Sequence, residues 1–573
     1  MKYILKYFKK YKKESILAPL FKMLEACFDL VVPLIVANMI DVGIANGDKS
    51  YILTRFGLLL AMAVFGLLCC VVAQFFAAKA AIGTATGLRH DLLLKIQSLS
   101  LKEEETVGSA TLITRMTSDI NQIQNGLNMF LRLFMRSPFI VFGSAVMAFT
   151  INSRLALIFV MAIAVLFVIV FGIMRVSNKQ YKVVQKDLDS VTEVTSESLR
   201  GVRVIRAFSR EEQQQQKTEN AVNALLHSQL KAGRFAALLN PLTYVVVNSV
   251  IVLVLWLGAG KVQSGVLLSG NIIALINYIS QILVELVKLA SLITLLARSV
   301  ACANRVGQTL DMQSSLDFGK EDFSASSEAV SFKNVGFCYS GGVDEALSNI
   351  TFSAASGQTI GIIGGTGSGK TTLINLIMRF YDVTSGEVEL FGKPIESYSK
   401  SALQNMVCVV GQKMFLFEGT IKSNLLLANP NADDDELWKA LEIAQAAEFV
   451  KKKPLGLSDP VEQGGANLSG GQRQRLTIAR ALLAGTKIII LDDSFSALDF
   501  ATDAALRKAL KSLPDDITVF IISQRVGSIK NTDEILVLDD GRLVGNGTHE
   551  SLMKNCGVYQ EIYESQTSKE GAQ

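Results

Sequence analysis

The stretch TIGIIGGTGSGKTTLINLIMRF, residues 359–380, decides the fold of the second half of this chain. Its opening, Thr359 to Ile363, is short, apolar and largely β-branched, and reads as a buried strand. Its end, from Thr371 onward, has the spacing of a helix. Between them run Gly364, Gly365, Thr366, Gly367, Ser368, Gly369, Lys370 and Thr371, a G-x-x-x-x-G-K-T loop in the strand–loop–helix setting that the motif requires. Glycines let consecutive backbone N–H groups curl around phosphate oxygens, and the following helix N-terminus adds favourable dipole charge. Lys370 reaches toward β- and γ-phosphates, the Thr371 hydroxyl is a ligand for Mg²⁺, and Thr372 completes the phosphate-contacting run.

Working toward the C-terminus, KIIILDD (487–493) brings a buried strand to Asp492, whose carboxylate fits the Mg²⁺ shell beside such a loop. Between the two motifs lies NLSGGQRQRLTIARALL (467–483), in which Ser469, Gly470 and Gly471 open a helix with free N–H groups suited to an anion. Short β-rich runs (SFKNVGFCY, TIGIIG, KIIILDD, TVFIIS, EILVLDD) alternate with helical stretches from about residue 328. That alternation predicts an α/β domain with a largely parallel core.

An LSGGQ segment lying between a phosphate loop and an apolar strand ending in Asp resembles the signature of ATP-binding cassette (ABC) proteins. The resemblance implies that Tyr339 stacks on adenine and that Gln412, in VVGQKMFLFEGTI, meets Mg²⁺ and the membrane domain. It also implies that Ser496 to Asp499 (SALD) form the D-loop, with Asp499 near nucleotide, and that Glu462 lies in the segment before the signature. Ser469, Gly470, Gly471 and Gln472 would face the ATP held by a second, similar domain.

Toward the N-terminus the character changes. Half of the 573 residues are hydrophobic and only 19% are charged, with a mean hydropathy of +0.34. That composition excludes disorder and an ordinary soluble enzyme. Uncharged runs cover 56–78, 137–153, 155–174, 235–260 and 262–284, near the roughly 20 residues a bilayer crossing needs. A sixth span, about 15–40, is interrupted by Lys22, Glu25 and Asp29. Connections after the second and fourth spans are long and helical in pattern, about 80–130 and 176–234. Arg175, Lys179, Lys182, Lys186, Arg200, Arg203, Arg206 and Arg210 place the latter in the cytoplasm by the positive-inside rule. Both termini and the soluble domain then lie there too.

The predicted organisation is an amphipathic helix at 1–14 with six lysines, an α-helical membrane domain of six spans at 15–310, and a linker at 311–328. An α/β P-loop NTPase domain at 329–565 and a polar tail at 566–573 complete it. The chain resembles an ABC exporter half-transporter in a bacterial plasma membrane, and GSATLITRMTSDI (108–120) and ESLRGVRVIRAFSREE (197–212) resemble loops that carry short coupling helices. A net charge of +4 gives no reason to expect a nucleic-acid partner, and the seven scattered cysteines read as free thiols.

Two residues depart from the family pattern. Asp493 stands where the family usually has Glu after the Walker B aspartate, and Gln524, in IISQRVG, where it usually has His. Asp493 is one methylene short of the usual reach, and an amide cannot carry a proton as imidazole does. The resemblance then implies a degenerate ATP site in a heterodimer. The partner would be a second half-transporter with Glu after Walker B and His at the switch, and it would receive the intact LSGGQ of this chain. Bacterial multidrug exporters of this type move small amphipathic compounds across membrane lipid; lipid, peptide or haem export, a homodimer and an ATP-gated regulator are the alternatives. Glu25, Asp29 and Glu285 read either as anchors for cationic compounds or as members of ion pairs, Glu285 with Lys288.

Overall fold

A computed structural model describes residues 2–339 and 345–570. The chain divides into two units, Met1–Gln97 with Gly108–Met312, and Ser98–Val107 with Gln313–Gln573.

Among the described residues, the first unit contains six helices long and apolar enough to cross a membrane: Lys12–Ile44, Lys49–Ser98, Ser109–Ile151, Ser153–Arg200, Glu211–Gln263 and Ser269–Asp311. A crossing takes about 20 residues at 1.5 Å each, so the second to sixth helices, of 43 to 53 residues, extend well beyond a bilayer, and the first, of 33, less so. The expected helical extensions of the long connections are these continuations. Connections after the first, third and fifth spans are tight. Gly47 (φ +68°) and Gly265 (φ +73°) turn the first and last of them. At the middle one, Asn152 is extended (φ −159°) and its side chain accepts from Leu155 N.

The third span breaks at Phe134–Met135. Pro138 explains this, because its ring crowds the carbonyl of Phe134 and it offers no N–H there. Arg136 sits immediately after the break and gathers the charges that interrupt the first span. Its guanidinium lies 2.8 Å from both Asp29 and Glu285, and 3.9 Å from Glu25. Lys22 pairs with Glu25 at 2.6 Å, Lys288 with Glu285 at 2.9 Å, and Ser137 donates to Glu285 at 2.7 Å. Three cations face three carboxylates, which is how six ionisable groups are accommodated among apolar helices.

In the second unit the strands are β1 (Glu328–Phe337), β2 (Leu347–Ala355), β3 (Thr359–Gly364), β4 (Ser385–Leu390), β5 (Lys393–Pro394) and β6 (Val407–Val410). They continue with β7 (Gly419–Thr420), β8 (Pro460–Val461), β9 (Ile488–Asp492), β10 (Thr518–Ile522), β11 (Glu534–Asp539) and β12 (Arg542–Gly547). An antiparallel sheet has the order β2-β1-β4-β5, and the main sheet the order β12-β11-β3-β10-β9-β6. Every pairing in the main sheet is parallel except β11 with β12. Ile362, Ile490, Phe520 and Leu536 bury on one face, and Ile363, Ile489, Ile521 and Val537 on the other. Two covered faces are why these strands read as unbroken apolar runs in place of alternation.

The segment Ser98–Val107 belongs to this soluble unit although the membrane spans flank it in sequence. Its short helix, Leu101–Val107, ends at Gly108 (φ +81°), just upstream of the 108–120 stretch expected to carry one. Tyr381 Oη donates to Glu105 at 2.6 Å, Ser315 N donates to Glu103 at 3.2 Å, and Leu101 packs on the core. In the other long connection the short helix is Val202–Ala207, within the expected 197–212. At the C-terminus, the helix Gly557–Glu570 runs past residue 565, so the stretch expected as a tail begins inside a helix.

Candidate functional site

Parallel register aligns the ends of the central strands. Ile522 of β10 pairs with both Ile362 of β3 and Asp492 of β9, and Val410 of β6 pairs with Leu491. The loop after β3, Asp493, Gln412 and Gln524 therefore all emerge at one edge, the carboxyl end of the strands, where open α/β sheets bind ligands.

The phosphate loop needs its glycines. Gly367 (φ +87°) and Gly369 (φ +95°) occupy left-handed backbone, and a side chain at Gly364 would collide with the Leu538 carbonyl of the neighbouring strand. Gly365, Thr366 and Gly367 are exposed, whereas Ser368 is buried. Lys370 opens the helix Lys370–Ile377 and folds back across the loop, donating to Gly364 O at 2.9 Å, Gly365 O at 2.5 Å and Ser368 Oγ at 3.3 Å. Its ammonium is thus held over the loop by carbonyls that phosphate oxygens can replace. Burial pushes its pKa below the ordinary lysine value, and the charges of Asp492 and Asp493 oppose that shift. The Asp492 carboxyl is pushed up by burial and by Asp493, with Lys370 opposing.

Hard oxygen donors, the half-buried Asp492 carboxylate and the hydroxyl of Thr371 at the helix start, suit Mg²⁺, which binds through one or two protein oxygens plus phosphates. When bound, that ion would neutralise phosphate charge, and Asp492, Thr371 and Gln412 are the candidates that would hold it.

Asp493 adopts φ +48°, a left-handed conformation that Asp tolerates better than most residues. Its N–H donates to Ile522 O at 3.0 Å, and Gln412 Nε2 makes a long 3.5 Å contact to its carboxylate. The switch segment follows β10. Ser523 N donates to Ile362 O at 3.1 Å, and Gln524 O accepts from Gln566 Nε2 at 2.7 Å. Tyr339 places its ring edge-on to Phe337 and Tyr381, with its hydroxyl 3.1 Å from Thr372 Oγ1.

Ser469 caps the signature helix Gly470–Leu483 in a reciprocal box with Gln472, and Gly471 lies against the Ala497 carbonyl. Asp499 caps the helix Phe500–Leu510, accepting from Thr502 N at 2.8 Å, and these bonds hold its carboxyl below the usual range. The structure therefore brings the phosphate loop, Tyr339, Asp492, Asp493 and Gln412 together; Gly470 and Gly471 lie beside Ala497 of the SALD segment, while Ser469 and Gln472 bond to each other at the helix start. Sequence reading missed Arg136, Glu105 and Gln566, whose partners lie far away in the chain.

Two family models match: one described as the ABC transporter transmembrane region over residues 15–286, and one described as ABC transporter over 347–496. An uncharacterized ABC transporter ATP-binding protein of Bacillus subtilis, YfiB, is 33% identical over 576 residues, covering 100% of each chain. A protein of Photobacterium profundum named ATP-dependent lipid A-core flippase is 31% identical over 84% of this chain and 82% of its own length. Among solved structures, a bacterial Atm1-family ABC exporter with ATP bound superposes with a TM-score of 0.81 over 97% of this chain and 98% of its own, at 22% identity.

Proposed function

Because the chain belongs to the ABC transporter family, as a half-transporter with one membrane region and one ATP-binding domain, we propose that it is the degenerate-site half of a heterodimeric exporter. Its own site retains ATP and hydrolyses it slowly. Its LSGGQ completes the faster site of a partner half-transporter that carries Glu after Walker B and His at the switch. The cargo is amphipathic; the relative named as a lipid A-core flippase supports extending that class to lipids. Export is outward across the plasma membrane, with the ATP-binding domain and both termini in the cytoplasm.

The observation carrying this reading is Asp493. Hydrolysis of ATP to ADP and phosphate needs a carboxylate that orients water and relieves it of a proton as its oxygen attacks phosphorus. Asp493 is about 1.5 Å short of a glutamate's reach, where misplacements of about 1 Å already matter. Its carboxylate also faces Gln412. Lys370 and the loop N–H groups hold the phosphates, the Asp492 carboxylate fits the Mg²⁺ shell, and the Gln524 amide donates to the γ-phosphate without offering a proton. ATP is then bound well and cleaved poorly, so its dwell time biases the balance of inward and outward states.

The test is ATP turnover by the full-length pair. Asp493→Asn is expected to leave it nearly unchanged, while Gln for Glu at the partner's matching position abolishes it. Asp493→Glu should speed turnover at this chain's site, up to about 100-fold, the scale of a restored general base. Loss of all turnover in Asp493→Asn alone would make Asp493 a working base and refute the asymmetry.

For cargo, Glu285 is a poor anchor for cationic compounds, since Arg136, Ser137 and Lys288 already surround it. Asp29, with 42% of its side chain exposed, is the better-placed carboxylate.

A further inference from the structure

We propose that Gln566 is a positioning residue for the nucleotide switch. The proposal rests on the reading of Gln524 as the residue that meets the γ-phosphate.

The C-terminal helix Gly557–Glu570 is anchored to the soluble unit. Tyr559 is fully buried with its hydroxyl 2.7 Å from His549 Nδ1, the Tyr563 ring packs on His549, and Ile562 lies against the core. From that fixed helix the Gln566 amide reaches the main chain on both sides of Arg525. Its Nε2 donates to Gln524 O at 2.7 Å, and its Oε1 accepts from Val526 N at 2.9 Å. One planar amide thus satisfies a donor and an acceptor two residues apart, as a neighbouring strand would.

The other side of the segment is fixed independently. Ser523 N is bonded to Ile362 O of β3, the strand that leads into the phosphate loop, and Arg525 N donates to Ser523 Oγ at 3.0 Å. With Ser523 tied to β3 and residues 524 and 526 tied to Gln566, the backbone around Gln524 has little freedom. The direction of its side chain then depends on the C-terminal helix. A further contact joins the segment to the D-loop side, where the Arg525 guanidinium lies 6.0 Å from the centre of the Phe500 ring. A clamp of this kind keeps an amide aimed at phosphate without ordering it anew at each binding event.

Three variants of the full-length transporter as it purifies, in lipid nanodiscs, test this: Gln566→Leu, Gln566→Glu and Gln524→Ala. Gln566→Leu removes both bonds, whereas Gln566→Glu keeps the acceptor for Val526 N and sets a carboxylate against the Gln524 carbonyl. Labelled 8-azido-ATP retained on this chain is followed during a chase with unlabelled ATP, alongside hydrogen exchange of the peptide spanning 523–527. Gln566→Leu is expected to release nucleotide about 3- to 10-fold faster, the scale of one or two hydrogen bonds. Its switch amides should exchange faster and its melting temperature should hold. Gln566→Glu should release comparably fast while Val526 stays protected. Adding Gln524→Ala to Gln566→Leu should give no further acceleration, because both act through one group. Wild-type release from both Gln566 variants, or additive effects in the double variant, would overturn the proposal alone. Wild-type release from Gln524→Ala would overturn the reading of Gln524 and the proposal with it.

Discussion

Replacing Arg136 with alanine is expected to destabilise the membrane unit by about 3–5 kcal/mol, the range seen when one member of a buried ion pair is removed. The reason is local. Arg136 supports two carboxylates at once, Asp29 on the first span and Glu285 on the sixth, each at 2.8 Å. Without it Glu285 keeps only Lys288 and Ser137, and Asp29 loses its ion pair. A charge left unpaired among apolar helices loses far more than a surface bridge would. The readout is thermal unfolding of the purified chain in detergent, where a drop on the order of 10 °C follows from that energy. Arg136→Lys should fall between, since one ammonium cannot serve two carboxylates in a fixed fork. Combining Arg136→Ala with Asp29→Asn should recover part of the loss by removing the orphaned charge. Unaltered melting of Arg136→Ala would show that the network is dispensable.

Lys370→Met is expected to weaken ATP binding by this chain about 100-fold or more, corresponding to roughly 3 kcal/mol. Methionine keeps much of the side-chain length but brings no charge to the phosphates and no donors to Gly364 and Gly365. Photolabelling of the full-length chain over a range of ATP concentrations measures the change. Asp493→Asn is the control, because a site that binds well and cleaves poorly should lose little affinity there. Equal labelling of Lys370→Met and the wild-type chain would remove the phosphate loop from nucleotide binding.

These outcomes depend on features that differ in how visibly they were written in the sequence. The phosphate loop, the apolar strand before Asp492 and the six long helices are all encoded locally, by runs of about 5 to 25 adjacent residues whose chemistry and spacing act together. The first span was legible only with difficulty, because Lys22, Glu25 and Asp29 interrupt it. What reconciles them is Arg136, which lies 107 residues from Asp29 and 149 from Glu285. No periodicity links such positions. Pro138 was visible, but not that its break would present a guanidinium to three carboxylates. The Gln566 clamp escaped for a similar reason: a polar residue near a chain end looks like solvent-facing tail until the helix that carries it has a place to pack. Asp493 shows a third case. Its departure from the family pattern was plain from one letter, whereas its left-handed backbone and its contact with Gln412 needed coordinates.

The membership of Ser98–Val107 in the soluble unit has a consequence for the order in which the protein is made. This segment leaves the ribosome when two spans exist and four are still to come. The sheet that it will cover begins only after Gln313. Leu101 and Glu105 must therefore wait, uncovered, through the synthesis of most of the membrane unit before the core around Leu101 and the Tyr381 hydroxyl can meet them. Closing that long loop is a late and slow step. Completion of the ATP-binding unit therefore comes only after all six spans have been synthesised.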